Sequence, residues 1–421
     1  MRLRYNFRVE PTPGQCVALA RAFGCARVVF NDGLRARQDA YRAGLPYVTD
    51  AELMRLVVTV AKRSEQRAWL GEVSAVVLQQ AVVDLNTAYR NFFASVAGAR
   101  KGPRVGPPRL RSRKDNRQAI RFTRNARFRV TDGGKLSLPK IGELRVRWSR
   151  ALPAAPSSVT VIKDAAGRYF ASFVVDTEPD ILAVTDADTG IDLGLSCFAV
   201  FPDGRTITAP RFLRRAERTL TRLQRALCRK QKGSRNRSKA RMRLARAHTR
   251  VVDSRRDWHH KESTRIIRDN QAVYVEDLAV SGLARGRLAK SVHDAGWSAF
   301  VAMVEYKAIK HGRVFARIGR FEPTTRTCSG CGWYGPKLEL SVRSFHCSDC
   351  GLVADRDVNA ARNILAAGRK LAAQTRPEAE RLNACGGTVR PGAARPRLAR
   401  PGEAGTHRGD LTRAQPPPQA R

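Results

Sequence analysis

The sequence predicts a mixed α/β protein of several modules. Three features carry that expectation. Residues 187–321 run as hairpin, long helices, strand, helix and strand, a helical block over 10–117 stands between β-patterned segments, and two C-x-x-C pairs follow. The opening YNFRVEPT alternates as a strand does, and Thr12 and Pro13 then supply a helix cap and a first-turn proline. Apolar residues recur at helical spacing in CVALARAFGCARVVFNDGL, AELMRLVVTVAKR and VSAVVLQQAVVDLNTAYRNFFASV, with Gly24 and Gly44 expected as stops. Past residue 100 the composition turns to Pro, Gly and Arg, and AIRFTRNARFRVTDGGKLSLP and VTVIKDAAGRYFASFVVD then read as short strands joined by turns. Pairing of the first strand with this region would make the helical block an insertion in one discontinuous β domain, 1–9 with 118–180. Periodicity leaves that pairing open.

After the linker TEPDILAVTDAD, the stretch TGIDLGLSCFAVFPDGRTITAP flanks an Asp-Gly turn in hairpin fashion. Two basic helices cover about 209–270, QAVYVEDLAV follows as a buried strand, and WSAFVAMVEYKAIKHG and RVFARIGRF supply a helix and a strand. From about 371 to 421 the chain is rich in Arg, Pro, Gly and Ala without periodicity, as in a disordered basic tail.

Composition narrows the partner. In 421 residues, 78 Lys and Arg face 37 Asp and Glu, giving a formal charge of +41, which calls for a large polyanion. Nucleic acid fits better than an anionic membrane, because the basic residues spread over most of the chain and no apolar run is long enough to span a bilayer. The N-terminus carries no secretory pattern, so a reducing cytoplasm is expected. Four of the nine cysteines form two C-x-x-C pairs, which favours metal ligation over disulfides.

Cys328, Cys331, Cys347 and Cys350 have the C-x2-C-x15-C-x2-C spacing of a structural Zn2+ site, one ion closed by four thiolates. His346 is a further potential ligand, but four thiolates already fill such a site. A closed site offers no position for water, so the nearby aspartates need another role. Asp192 sits inside the apolar GIDLGL and Glu276 ends AVYVE, both costly places for a lone charge, while Asp355 and Asp357 precede the helical VNAARNIL. Singly, each has a bland explanation as a helix cap or a solvated strand end. Together, three carboxylates at the ends of core elements in a basic protein suit two Mg2+ ions roughly 4 Å apart, which cleave phosphodiesters.

The segments GIDLGL, VYVEDLAVSGL, LAKSVHDAGWSAF, TCSGCG, HCSDCG and DRDVNAARNIL, in this order, resemble the TnpB family, the OrfB proteins of insertion sequences, which is similar to type V CRISPR effectors. The opening YNFRVEPTPGQ resembles that family's start, so the likeness covers about 1–370. It implies an RNase H-like RuvC nuclease domain over 187–321 and 352–370 with a zinc-ribbon inserted at 322–351. It further implies a preceding β-barrel-like wedge domain that carries a helical recognition insertion at 10–117. It also implies an RNA-guided endonuclease that takes a guide RNA from the transposon end and cuts double-stranded DNA beside a short adjacent motif. Carried over, the catalytic and Mg2+-binding residues are Asp192, Glu276 and Asp357, with Asp355 the nearby alternative. Asn359 either supports that site or satisfies local backbone. Two other readings share these features: a transposase acting directly on transposon ends, and a nuclease-inactive RNA-guided regulator.

The basic helices give a second site. RFLRRAERTLTRLQRALCRKQKGSRNRSKARMRLARAHTR holds Glu217 as its only acid, so like charges repel unless an anion lies between them. Arg225, Arg229, Lys230, Arg235 and Arg237 are the expected nucleic-acid contacts. Tyr89, Phe92 and Phe93 have the form of base-stacking groups, although their spacing is equally that of a helix core.

Overall fold

The computed structural model describes residues 1–375 apart from 101, 116 and 340. Residues 1–372 fold as one compact unit, and 373–375 continue its last helix. The first residues of the expected tail, 371–375, are therefore helical. Leu371 and Ala372 extend an amphipathic pattern, and the rest of the tail lies outside the described residues.

β1 (Arg2–Glu10) leads into α1 (Pro13–Arg42), α2 (Asp50–Met54) and α3 (Ala75–Val96). The chain then returns through β2 (Gln118–Thr123), β3 (Arg129–Val130), β4 (Lys135–Leu138), β5 (Gly142–Arg147), β6 (Ser158–Lys163) and β7 (Tyr169–Asp176). These strands form one antiparallel sheet in the order β2-β6-β7-β1-β5-β4-β3. β1 lies at its centre, paired with β7 and β5, so the helices enter between the first strand and its partners. One apolar core is shared by sheet and helices, with Phe7, Phe122 and Phe173 from strands packed with Leu19, Val29 and Leu85 from helices.

Local chemistry sets the ends of α1. The Thr12 hydroxyl accepts from the Gln15 N–H and the Gln15 side chain accepts from the Thr12 N–H, a reciprocal capping box. Gly44, at φ +66°, stands just past the C-terminus, where a left-handed residue closes a helix. Gly24, expected as a stop, lies inside α1. Its neighbours Phe23, Cys25 and Ala26 bury against the core, and that packing outweighs a glycine cost of about 1 kcal/mol.

The second half contains β8 (Asp188–Ile191), β9 (Cys197–Val200), β10 (Thr206–Thr208), α4 (Phe212–Cys228), α5 (Arg235–Asp269) and β11 (Ala272–Glu276). α6 (Val280–Leu283), α7 (Ala289–Ala295), α8 (Trp297–Lys310) and β12 (Val314–Ile318) follow, then β13 (Ser344–His346), β14 (Val353–Asp355) and α9 (Arg356–Thr375). β9 and β10 form the hairpin around Asp203-Gly204, and a bridge between Asp192 and Val200 joins β9 to the chain just past β8. β8, β11 and β12 run parallel. The strands thus line up as β10-β9-β8-β11-β12, an antiparallel meander continued by two parallel strands.

Two glycines bring α9 onto this sheet. A β carbon at Gly190 would stand 2.4 Å from the carbonyl oxygen of Ala361, and one at Gly368 would stand 2.1 Å from the Tyr274 ring. Only a missing side chain permits such an approach. Pairing of Ser344–His346 with Val353–Asp355 forms the hairpin that holds Cys347 and Cys350 in its turn. Among the described residues, no helix is long and apolar enough to cross a membrane.

Candidate active site and metal centre

The carboxylates sit where parallel strands end. Ile191 of β8 pairs with Val275 of β11, so the next residues along, Asp192 and Glu276, stand at matching positions at the carboxyl ends of neighbouring strands. In open α/β sheets this end is where ligands bind. Asp192 keeps some exposure, yet burial is the first cause that pushes its carboxyl up to about 7, followed by the negative charges of Glu276 and Asp357. Arg356 opposes that rise. Burial also raises the Glu276 carboxyl, and a hydrogen bond donated by the Thr324 hydroxyl to its Oε1 acts against this. Hard oxygen donors that repel one another when ionised are a donor set that divalent cations relieve.

Asp355 and Asp357 have different partners. Asp355 Oδ1 accepts from the N–H groups of Asp357 and Val358 at 2.9 and 3.0 Å, which makes Asp355 the cap of α9. Asp357, in the first turn, lies 3.5 Å from the Arg343 guanidinium and 3.7 Å from that of Arg356. Arg343 also donates to the Ser196 hydroxyl at 3.1 Å, tying the hairpin that bears it to the loop after Asp192.

The four cysteines converge. All four Sγ atoms lie within 4.8 Å of one another, with Cys328 and Cys350 3.6 Å apart and Cys331 and Cys347 also 3.6 Å apart. A tetrahedral ion with Zn–S bonds of about 2.3 Å requires sulfurs about 3.8 Å apart, so the cluster fits one such ion. Backbone N–H groups of Gly330 and Cys350 point at Cys328 Sγ and Cys347 Sγ, both at 3.4 Å. His346 is not in the cluster and instead shares a 3.0 Å hydrogen bond with Ser344.

Sequence reasoning missed the ties between the two sites. Asn359, fully buried, accepts from the Ser329 N–H at 2.9 Å and donates to the Thr327 carbonyl at 2.8 Å. It thus clamps the first cysteine knuckle and does not serve its own turn. Asn363, one helical turn on, donates to the carbonyls of Thr324 and Thr327 at 2.7 and 2.6 Å. The only sequence signal was the spacing of two asparagines four residues apart on a helix that follows the knuckles.

α4 and α5 form an antiparallel hairpin on a narrow apolar seam of Leu220, Leu244 and Val251. Arg225, Arg229, Lys230 and Arg235 are exposed and form no ion pair among the described residues. Arg225 and Arg229 line a groove with Arg214, Arg218 and Arg222. Arg237 differs, because its guanidinium donates to the carbonyls of Leu227 and Lys230 and closes the end of α4. Of the three aromatics, Tyr89 and Phe92 are half-buried, while Phe93 is exposed and stacks on Tyr89 with ring centroids 5.9 Å apart. Tyr89 packs against the helical core, as its spacing allowed.

Comparison with known proteins places this architecture. An OrfB IS605 family model described as "Probable transposase" matches residues 172–287, a Cas12f1-like TNB domain model matches 297–364, and a "Helix-turn-helix domain" model matches 1–45. In this chain, 1–45 hold one strand and one unbroken helix. A Streptomyces pristinaespiralis protein named "Putative RNA-guided DNA endonuclease" is 42% identical, over 92% of this chain and 92% of the relative. An Escherichia coli K12 relative, "Putative RNA-guided DNA endonuclease InsQ", is 30% identical over 88% of this chain and 93% of its own length. The Cas12f1 chain in a cryo-EM structure with sgRNA and target DNA shares the fold, with a TM-score of 0.52 at 14% identity over 82% of this chain and 81% of that chain. With relatives matched over nearly their whole length, the chain belongs to the OrfB (TnpB) family.

Proposed function

We propose that the chain is an RNA-guided endonuclease that hydrolyses double-stranded DNA beside a short adjacent motif, with a guide RNA from a transposon end as its partner. One observation carries this reading: the parallel register of Ile191 with Val275 sets Asp192 beside Glu276, and the charge of Asp357 acts on the same carboxyl. These three residues would hold two Mg2+ ions, which when bound activate the attacking water and stabilise the leaving oxygen. The chain contributes carboxylates at the ends of two neighbouring strands and a third in the first turn of α9. The β10-β9-β8-β11-β12 order supports an RNase H-like RuvC domain, and the seven-stranded sheet with its inserted helices takes the wedge and recognition roles.

The cysteine cluster would hold Zn2+ as a brace, closed to substrate. The exposed arginines of α4 suit a nucleic-acid backbone, whose phosphates dominate affinity. The names of the Streptomyces and E. coli relatives support the RNA-guided reading, as does the guide and target complex of the structural neighbour. Work of this kind belongs in the cytoplasm.

The test is to purify the protein with its native downstream DNA present, sequence co-purifying RNA, and offer plasmids with a matching target and randomised flanks in Mg2+. Cleavage is expected only where the guide match and one flank coincide. Asp192→Ala should keep binding and abolish cleavage, and unchanged cleavage would sink the site. Joined strands in place of cut ends would favour a transposase.

A further inference from the structure

We propose that Thr324 is a positioning residue for the nuclease centre, orienting Glu276 through its hydroxyl while α9 and the first cysteine knuckle hold its backbone. The inference rests on the nuclease reading above. Thr324 is 5% exposed, and its hydroxyl donates to Glu276 Oε1. That bond fixes the carboxylate's rotation and leaves Oε2 and the remaining lone pair of Oε1 as ligand positions. Loss of an ordering partner of this kind typically costs about 10–100-fold in metal affinity or activity.

The backbone that carries this hydroxyl is itself held. Thr324 O accepts from Asn363 Nδ2 at 2.7 Å, and the Thr324 N–H donates to Glu322 O at 2.9 Å. Pro323 O, one residue earlier, accepts from the N–H groups of Arg326 and Thr327 at 2.9 and 3.0 Å. Asn359 and Asn363 both donate to Thr327 O, and Asn359 accepts from Ser329, next to Cys328. A continuous set of bonds therefore runs from a cysteine ligand to a carboxylate of the nuclease centre. The ribbon then does more than brace the domain, since its first knuckle sets where Thr324 stands.

The test compares the parent, Thr324→Val, which keeps the shape and removes the hydroxyl, and Thr324→Ser, which restores it. Each full-length protein is loaded with guide RNA. Binding of Mg2+ is read by calorimetry without DNA, zinc per chain is measured, and cleavage is followed against Mg2+ concentration. Thr324→Val should need about 10–100-fold more Mg2+ for half-saturation in both assays. Its zinc content should match the parent, and Thr324→Ser should recover to within a few fold. Parent-like Mg2+ binding by Thr324→Val overturns the inference, as does loss of zinc or failure of the serine to rescue. If Asp192→Ala is inactive in the same series, such a result leaves the nuclease reading standing; an active Asp192→Ala removes that reading first.

Discussion

Gly190 approaches the carbonyl oxygen of Ala361 so closely that a β carbon would stand 2.4 Å away, and the Leu365 nitrogen lies equally near. Both neighbours are helix backbone, which cannot turn aside. Gly190→Ala should therefore lower stability by about 1–3 kcal/mol or more, and push α9, with Asp357, off the sheet. A thermal melt and a cleavage assay check this. Gly24→Ala provides the opposite sign, because that position is helical with nothing within 4 Å, and about 0.5–1 kcal/mol of added stability is expected.

Asn359→Ala leaves the Ser329 N–H without its partner inside a buried seam. The expected loss is about 1–3 kcal/mol, read from the denaturant midpoint. Asn359→Asp keeps an acceptor for Ser329 but brings a charge and no donor for Thr327, so it should not restore the parent midpoint.

Cys328→Ser removes one of four sulfurs that lie within 4.8 Å of one another. Zinc per chain should fall from about one to near zero, and the hairpin of β13 and β14 should become open to protease. A zinc-free protein with a parent-like digestion pattern would contradict the brace.

Arg225→Ala and Arg229→Ala should each weaken nucleic-acid binding and reduce the slope of log affinity against log salt by about 1. Arg237→Ala should act otherwise. Its guanidinium closes α4 through Leu227 O and Lys230 O, so melting temperature should fall more than the salt slope changes.

His259 sets a pH dependence. Burial pushes its ring down to about 4, while its Nε2–H donates to Ala295 O at 2.9 Å. His260 is pushed to about 4 by burial first and by the nearby Lys307 charge next. An unfolded histidine titrates at about 6.5, so between pH 6.5 and 4 the unfolded chain binds more protons than the native one. Stability from these groups thus falls as pH drops through that window. His259→Gln should flatten the dependence of the melting midpoint from pH 6.5 to 4; an unchanged slope would contradict the assignment.

Much of the candidate site was legible in sequence. A charge inside GIDLGL or at the end of AVYVE is costly unless it has a partner, and two C-x-x-C pairs at this spacing suit one metal ion. The resemblance put the third carboxylate on Asp357 with Asp355 as the alternative; the cap bonds of Asp355, which give that side chain a local structural role, were not legible in the sequence. Arg237 looked like its neighbours until the turn it closes was visible.

What the sequence determined by itself was chemistry and period: ligand types, basic surface, strand and helix patterns, and the cap of α1. These depend on residues near one another in the chain. Only the tertiary structure decided that β1 sits at the centre of the seven-stranded sheet, that Gly190 and Gly368 admit α9, and that Thr324, Asn359 and Asn363 join the cysteine knuckle to Glu276. Those contacts link residues 30 or more positions apart, and a hydrogen bond at 2.9 Å across such a span leaves no period in the sequence to be read.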